Sequence, residues 1–409
     1  MAVPFLRSFF AFLAAPMRCK AKGSFWGSLG RDSISNDAIA HLGALAPLLY
    51  EGAASKGQVR SGQKQVMQSS NKTIVASIDA MGGDAAPDVV IEGLSLAAKR
   101  DKRLRFEVFG DQARVEPLVQ KFANLHGICT LNHTDVMVLP DDKPKDAMRS
   151  KRANSSMRLA VEAVKAGKAD FCASAGSTAA LLTVATLVLR KAPGIDRAAI
   201  IAPFPTAQKP LAFLDLGANV DVTERNLVQF ALMGCIYARI VLGHAQPTVG
   251  LLNIGTEEGK GKEVLQTGRV ALEQAQLPGE FIGFVEPNHM SDGDTNVVVA
   301  DGVSGNIALK MSEGIARFVA GQIRKEIKAD PISMIGGLLA RRAFGRARAN
   351  IDPNVFNGGM FIGLNGICMK SHGSSEALGW ASCVSNGAAL ARQNVVQQIT
   401  DCMQSFDEA

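Results

Sequence analysis

A lysine between two glycines follows an apolar segment of the chain and is the first candidate for chemistry. Residues 249–262 read VGLLNIGTEEGKGK, which predicts a strand, a glycine loop that carries Lys260, and then a helix. Backbone N–H groups at a helix start, together with a cation, bind anions such as phosphate. A nucleotide-binding P-loop has four residues between its glycines, then Lys and Ser/Thr. Here only three residues separate Gly255 from Gly259, and Gly261 replaces the hydroxyl residue, so we predict a phosphate site without a nucleotide.

Four other loops combine glycine with polar side chains at the end of a predicted strand. They read DAMGGD, SAGST, DLGAN and DGVSGN, at residues 79–84, 174–178, 215–219 and 301–306. One such loop would indicate little, because turns after strands are rich in these residue types for conformational reasons. Five of them favour a ligand site, since α/β sheets bind ligands beyond the carboxyl ends of parallel strands.

Two side chains in these loops suit the stabilisation of negative charge. Lys260 supplies a cation, and Asn306 supplies an uncharged N–H₂ donor near the start of a helix predicted over residues 305–328. The alternatives are a solvated surface lysine and a helix-capping asparagine. Weaker candidates for ligand contacts are Gly82, Gly83, Ser174, Gly176, Ser177, Thr178, Asn219, Gly255, Gly259, Gly261, Gly305 and His372.

Apolar runs alternate with helical patterns and predict the scaffold that positions these loops. Strands are predicted over residues 73–79, 105–110, 170–175, 198–204, 211–217, 249–255, 281–286 and 296–301. Helices are predicted over residues 86–100, 155–166, 178–189, 224–242, 262–276 and 305–328. Several strands are continuously apolar, as strands buried on both faces must be. The pattern predicts an α/β fold with a doubly wound, mostly parallel sheet in three α/β/α layers.

The chain changes character at about residue 72. Residues 1–72 hold nine Lys/Arg against three Asp/Glu and lack a sustained period, whereas the remainder has 35 of each. We predict that residues 1–72 are a poorly ordered extension or reflect a mis-assigned start, and that residues 73–409 form the functional domain. The neutral balance of that domain argues against nucleic-acid binding.

The composition also argues against several other classes of protein. No run of 18 apolar residues is present, so no membrane-spanning helix is predicted. The seven cysteines lack a C-x-x-C pair and the six histidines lack metal-ligand spacing, so we expect free thiols in a reducing cytosol and no metal. Neither a G-x-S-x-G elbow nor a Cys/His pattern indicates a covalent nucleophile.

The order of the motifs is similar to that of one known family. Along residues 73–400, ASIDAMGGDAAP, NSSMRLAVEA, ASAGSTAALL, GIDRAAI, LDLGANVD, VGLLNIGTEEGKGKE, ADGVSGNIALKMSEG and KSHGSSE resemble the bacterial acyl-ACP:phosphate acyltransferases of phospholipid synthesis, the PlsX family. The family's usual SAGNTGAL is here SAGSTAAL, so that Ser177 and Ala179 replace an amide and a glycine. The family also resembles the isocitrate/isopropylmalate dehydrogenases in fold.

The resemblance implies transfer of a fatty acyl group from acyl carrier protein to inorganic phosphate, without a cofactor. The product, acyl phosphate, would serve a glycerol-phosphate acyltransferase. Phosphate would attack the thioester directly, because it is largely dianionic near neutral pH and a thiol leaves readily. In the family the lysine and asparagine that match Lys260 and Asn306 are regarded as catalytic. The type and position of His372 suit either an acid for the thiolate or a structural donor. The alternatives are a phosphotransacetylase-like enzyme that uses acyl-CoA, and a silent partner that docks carrier protein.

Two basic segments are candidate contact surfaces. Residues 331–351 contain apolar and basic side chains but no acid, which predicts a protruding amphipathic segment that lies on a membrane or packs against the core or a subunit. Its candidate membrane contacts are Ile335, Leu338, Leu339, Arg341, Arg342 and Phe344. The resemblance implies a cytoplasmic homodimer on the inner face of the membrane. Residues 143–152, with five cations and one acid, either steer the acidic carrier protein or form a solvated loop.

Overall fold

The computed structural model describes residues 72–408, apart from 140, 143–145, 148, 150, 151, 258 and 352–356. All described residues belong to one compact unit. The predicted N-terminal extension, residues 1–72, lies outside the described residues except for Lys72, which forms a 2.7 Å ion pair with Asp170.

Eleven strands of the described residues form one sheet. They are β1 (Ile74–Asp79), β2 (Leu104–Gly110), β3 (Cys129–His133), β4 (Phe171–Ser174), β5 (Ala199–Phe204), β6 (Leu211–Leu214), β7 (Thr248–Leu252), β8 (Glu280–Val285), β9 (Val297–Val299), β10 (Gly359–Ile362) and β11 (Ile367–Lys370). Their order is β3-β2-β1-β4-β11-β10-β5-β6-β9-β7-β8. Only the pairs β11/β10, β10/β5 and β5/β6 are antiparallel, so the prediction of a mostly parallel sheet is confirmed.

Helices cover both faces of this sheet. They are α1 (Asp88–Arg100), α2 (Gln112–Gln120), α3 (Ser156–Lys165), α4 (Thr178–Leu189), α5 (Glu224–Tyr237), α6 (Glu263–Gln274), α7 (Gly302–Ile327), α8 (Pro331–Leu339), α9 (Arg341–Ile351), α10 (Ala377–Arg392) and α11 (Val395–Glu408). Successive residues of β4 enter different apolar clusters: Phe171 joins the one that contains α1 and α10, and Cys172 joins the one that contains α3 and α4. This alternation buries both faces and gives three layers.

Close packing explains part of this arrangement. α1 and α10 lie against each other at Gly93, where an added Cβ would come within 2.3 Å of the Trp380 Cβ. Trp380 is fully buried, so the glycine makes room for a large aromatic side chain in the core. Glu224–Leu242 is the one helical stretch in the described part whose length and apolar composition would suffice to cross a membrane, and 78% of it is buried within the fold.

The sequence prediction missed β3, β10 and β11 and the helices α2, α10 and α11. β10 and β11 are four residues each, too short for a period to stand out. They lie at the centre of the sheet, joined by a short connection that contains an Asn-Gly pair, a signal for a hairpin that was available in the sequence.

Candidate active site

Reversal of strand direction at the sheet centre separates the predicted site loops. β1, β4 and β11 are adjacent and parallel, and β6, β9 and β7 form a second parallel block. Three antiparallel pairings lie between the blocks, so their carboxyl ends point to opposite edges of the sheet. β11 and β6 are three strand steps apart, about 14 Å. The expectation that all five loops meet at one edge is therefore corrected to two loop clusters.

Each cluster is formed by three loops that follow adjacent strands. We call residues 79–84, 174–178 and 370–375 the Asp79 cluster, and residues 215–219, 253–262 and 301–306 the Lys260 cluster. Of the predicted site residues, the Asp79 cluster holds Gly82, Gly83, Ser174, Gly176, Ser177, Thr178 and His372. The Lys260 cluster holds Asn219, Gly255, Gly259, Lys260, Gly261, Gly305 and Asn306. Their contacts with a substrate stay predictions.

The loop that carries Lys260 has a fixed backbone and an accessible ammonium group. The Lys260 carbonyl accepts hydrogen bonds from the side-chain amides of Asn253, at 2.9 Å, and of Gln266. The Lys260 Nζ donates to Glu257 Oε1 at 2.7 Å, and both side chains are about half-exposed, at 48% and 62%. Gly259, with φ +83°, permits this turn, because a side chain there would strain the backbone. These contacts hold Lys260, one of two lysines in the loop, at a defined backbone position.

The helix that carries Asn306 begins earlier than predicted. α7 starts at Gly302, and Asp301 is its N-cap, with its carboxylate accepting the backbone N–H groups of Val303 and Ser304 at 3.1 and 2.9 Å. The prediction of a start at Gly305 was wrong because the Asp301 capping signal was overlooked. Asn306 therefore lies in the second turn, where the field of the helix N-terminus is weaker.

Asn306 nevertheless has a free donor. Its carboxamide is half-buried and has no hydrogen-bond partner among the described residues. The Nδ2 atom lies 3.0 Å from the position that a Cβ on Gly217 would occupy, so the glycine gives the amide room. Lys262 Nζ, 3.7 Å from Asp301 Oδ2, joins the Lys260 loop to the start of the same helix. Lys260 and Asn306 thus belong to one edge of the sheet.

Asp215 organises the third loop of the Lys260 cluster. It is fully buried, and its carboxylate accepts from the N–H groups of Ile200, Gly217, Ala218 and Asn219 at 2.7–3.2 Å. The Asn219 side chain donates to Asp215 at 2.9 Å, and the Asn219 backbone carbonyl accepts from the Gly302 N–H at 2.8 Å. The side chain of Asn219 is therefore engaged within the protein, and the loop holds α7 in place.

The Asp79 cluster is closed by internal hydrogen bonds. Asp79 is 1% exposed and accepts from Ser174 Oγ at 2.6 Å and Met81 N at 3.2 Å. Burial raises the pKa of Asp79, and the surrounding donors oppose that rise. A Cβ on Gly82 would lie 2.6 Å from Asp79 Oδ2 and 2.7 Å from the Gly176 nitrogen. These glycines allow the loops to pack on each other.

A lysine that the sequence analysis did not single out lies beneath this cluster. Lys370, at the end of β11, donates to the Ala175 carbonyl at 3.5 Å and to the Ser371 carbonyl. Burial lowers the pKa of Lys370 to about 8, while Asp79 and Asp84 oppose that shift. Its position as the first residue of the motif KSHGSSE was the available signal.

His372 lies at the rim of the Asp79 cluster. The residue is exposed, and its Nδ1 lies 2.9 Å from Ser374 Oγ. Its backbone N–H donates to the side chain of Asn357, which also donates to Ser371 and Ser375. These contacts account for His372 as an ordered loop residue, and its role as an acid stays a prediction.

The two basic segments differ in how much is described. Residues 331–351 form two helices, α8 and α9, and no residue of α8 is buried. The candidate membrane residues Ile335, Leu338, Leu339 and Phe344 are 61%, 67%, 81% and 43% exposed, and Arg341 and Arg342 are exposed beside them. In the other segment, Arg149 pairs with Asp146 and Arg152 with Asp142, whereas Lys143, Lys145 and Lys151 lie outside the described residues.

Metal and thiol chemistry have little support in the described part. No group of three His, Cys, Asp or Glu side chains suited to a metal occurs among the described residues. Six cysteines are described and all are free thiols. Burial raises the pKa of Cys129, Cys235 and Cys383 to about 12, which keeps these thiols protonated at neutral pH.

Comparison with known proteins identifies the family. A model of the FA_synthesis family, described as fatty acid synthesis protein, matches residues 74–398. The phosphate acyltransferase of Paramagnetospirillum magneticum is 47% identical over 311 residues, which cover 76% of this chain and 88% of that relative. The phosphate acyltransferase of Rhodospirillum rubrum is 43% identical over 331 residues, which cover 81% and 95%.

Solved structures agree on the fold. A phosphotransacetylase from Streptococcus pyogenes superposes with a TM-score of 0.54 at 18% identity, covering 82% of this chain and 99% of that one. The EutD phosphotransacetylase from Staphylococcus aureus gives 0.50 at 17% identity, covering 83% and 97%. The predicted α/β fold and the resemblance carried by the motifs are thus confirmed, and the chain belongs to the FA_synthesis family of fatty acid synthesis proteins.

Proposed function

We propose that this chain transfers a fatty acyl group from acyl carrier protein to inorganic phosphate and releases acyl phosphate. The names of its relatives support phosphate as the acceptor. The observation that carries the proposal is the Lys260 cluster, in which a half-exposed ammonium lies at the same edge of the sheet as a carboxamide that has no partner among the described residues. A site of this kind attracts an anion and supplies donors to developing negative charge.

The reaction needs positioning more than acid or base strength. A phosphate oxygen attacks the thioester carbonyl carbon, the carbonyl oxygen becomes an oxyanion, and the C–S bond then breaks. Lys260 neutralises phosphate and the oxyanion, and the Asn306 N–H₂ group donates to the oxyanion. The thiolate leaves and takes a proton from solvent. The proposed reaction uses no covalent acyl-enzyme, metal or other cofactor.

We also propose that α8 and α9 lie on the cytoplasmic face of the membrane. Ile332 and Leu339 of α8 are more than 80% exposed, and the following helix presents arginines to solvent. Apolar side chains beside cations suit an anionic lipid interface. This position would deliver acyl phosphate, a reactive and amphipathic product, to a membrane glycerol-phosphate acyltransferase. Flotation with anionic vesicles tests this, and Leu338→Glu together with Leu339→Glu should abolish binding.

A second copy of the chain is the proposed partner of α7. Val303, Ile307, Met311, Ile315 and Phe318 recur every three or four residues and are each at least 40% exposed. A continuous apolar stripe on an exposed helix is typical of a protein interface. We infer a homodimer, which sedimentation equilibrium would detect and which Phe318→Glu should weaken.

The central experiment supplies the protein with palmitoyl-ACP or palmitoyl-CoA and inorganic phosphate, without nucleotide or metal. Acyl phosphate is trapped with hydroxylamine. We expect phosphate-dependent product with the carrier-protein thioester. Product only with the CoA thioester would instead support a phosphotransacetylase-like enzyme. No product from folded protein that binds carrier protein would support a silent docking partner.

A further inference from the structure

The ammonium group assigned to phosphate already has an anionic partner in its own loop. Lys260 Nζ and Glu257 Oε1 are 2.7 Å apart, and this contact lowers the pKa of Glu257, which is therefore ionised at neutral pH. A phosphate dianion that approaches Lys260 therefore finds its ammonium group paired with a carboxylate. Two anions on one exposed ammonium repel each other, so phosphate and Glu257 compete for the same place.

Gly255 shapes the position of this ion pair. A Cβ on Gly255 would lie 2.5 Å from Lys260 Cδ, 2.7 Å from Glu257 Oε2 and 3.1 Å from Lys260 Nζ. Both side chains therefore fold back over Gly255 within the loop that should receive phosphate. Gly255 itself is buried. Because Gly255 has no side chain, the Glu257 carboxylate can lie directly against its backbone.

The loop backbone does not depend on the carboxylate. Asn253 and Gln266 hold the Lys260 carbonyl, and the Lys260 N–H donates to the Glu257 carbonyl at 3.3 Å. Besides Lys260, the Glu257 side chain has only its own backbone N–H as a partner within the described part of the chain. With 62% of its surface exposed, it can swing into solvent while the Lys260 backbone stays in place.

We propose that Glu257 is a resident counter-anion of Lys260, which the acceptor phosphate displaces on binding, and that it sets the apparent affinity for phosphate. This inference rests on the proposed function of the Lys260 cluster. An exposed ion pair is weak, so its removal should tighten phosphate binding by about two- to fivefold rather than by orders of magnitude. Glu257 is thus a specificity-determining residue that favours a multiply charged acceptor over weaker anions.

The test compares Glu257→Gln and Glu257→Ala with wild type at saturating acyl donor and varied phosphate. We expect both variants to lower the KM for phosphate by about two- to fivefold, with kcat within twofold of wild type. Glu280→Gln is the matched control, because Glu280 is exposed and begins β8, at the end of the sheet away from the loop. It removes the same charge and should leave both constants unchanged.

A direct titration separates this inference from the proposed function. Phosphate is titrated into wild type and Glu257→Gln in the absence of acyl donor, and again with Lys260→Met in both backgrounds. We expect the gain in affinity to vanish without Lys260. If Glu257→Gln binds phosphate more tightly but the protein forms no acyl phosphate, the proposed function is wrong and the role of Glu257 as a counter-anion stands. Unchanged or weaker phosphate binding, or a kcat lowered tenfold, would show that Glu257 orients Lys260 and would overturn the inference.

Discussion

The Asp79 and Lys260 clusters are each formed by loops after three adjacent parallel strands, and each contains a buried aspartate, Asp79 or Asp215, but they hold their lysines differently. Asp79 is buried among donors of its own loops, and Lys370 donates to two backbone carbonyls. Lys260 pairs only with an exposed carboxylate, and Asn306 has a carboxamide without a partner among the described residues. Charge that is enclosed and satisfied stabilises loops, whereas charge with an exchangeable partner is available to a ligand.

The largest expected effect concerns Asn306. Asn306→Ala should lower kcat for acyl-phosphate formation by about 100- to 1,000-fold, because it removes a donor to the oxyanion. Stability should change by less than about 0.5 kcal/mol, since the carboxamide has no hydrogen-bond partner in the described part of the chain. Initial rates and thermal unfolding measure the two quantities. A kcat above one-fifth of the wild-type value would contradict a role of Asn306 as a donor to the oxyanion.

Substitution of Asp79 should instead have a large effect on stability, because its carboxylate accepts hydrogen bonds within the Asp79 cluster. Asp79→Ala leaves the Met81 N–H and the Ser174 hydroxyl without their acceptor and should lower the free energy of unfolding by about 2–3 kcal/mol. Asp79→Asn keeps one acceptor oxygen and should cost less than half as much. Urea denaturation compares the three proteins. Equal stability of Asp79→Ala and wild type would contradict an enclosing role for this carboxylate.

Two glycines give a matched comparison of the clusters. Gly82→Ala forces a methyl group against the Gly176 backbone and should cost about 1–3 kcal/mol of stability. The nearest atoms to a methyl group in Gly255→Ala belong to the flexible side chains of Lys260 and Glu257, so this variant should cost less than about 1 kcal/mol of stability but change the KM for phosphate. Chemical denaturation measures the loss of stability in each variant, and steady-state kinetics measures the KM for phosphate. Similar losses of stability in the two variants would contradict the difference in packing between the two clusters.

A smaller effect is expected from pH at Lys370. Its pKa is about 8 in the folded protein and 10.5 for an ordinary lysine, so between these values the unfolded chain binds more protons. Stability from this group therefore rises with pH from 8 to 10.5, by about 1–3 kcal/mol at roughly 1.4 kcal/mol per unit, reduced by partial exposure. Denaturation from pH 7.5 to 10.5 should show a steeper rise in wild type than in Lys370→Met. Parallel curves would contradict burial of the ammonium.

The sequence predicted the local elements better than their assembly. Apolar runs located β1, β2, β4 and β5 within one or two residues, because a strand buried on both faces leaves a continuous signal. The pairing of β10 with β5 left no such signal, because these strands are far apart in the chain, and the Asn-Gly signal of the β10/β11 hairpin was overlooked. Sequence reasoning therefore found all five loops but placed them in one site.

The candidate residues show the same limit. Lys260 and Asn306 were found because glycines and a helix pattern mark their loops. Lys370 and Asn357 were not, because the contact of Lys370 with Ala175 and those of Asn357 with Ser371 and Ser375 form only in the folded sheet. The contact between Glu257 and Lys260 is local, but its position over Gly255 depends on the turn that the loop adopts.

The most direct test of the account is the phosphate-dependent rate of acyl-phosphate formation by Lys260→Met. Lys121→Met is the matched control, because Lys121 is exposed and follows α2, which packs beside β3 at the far side of the sheet. The account predicts a loss of at least about 100-fold for Lys260→Met, with an unchanged unfolding transition, and wild-type activity for the control. Activity of Lys260→Met within a fewfold of wild type would contradict the assignment of phosphate to the Lys260 cluster.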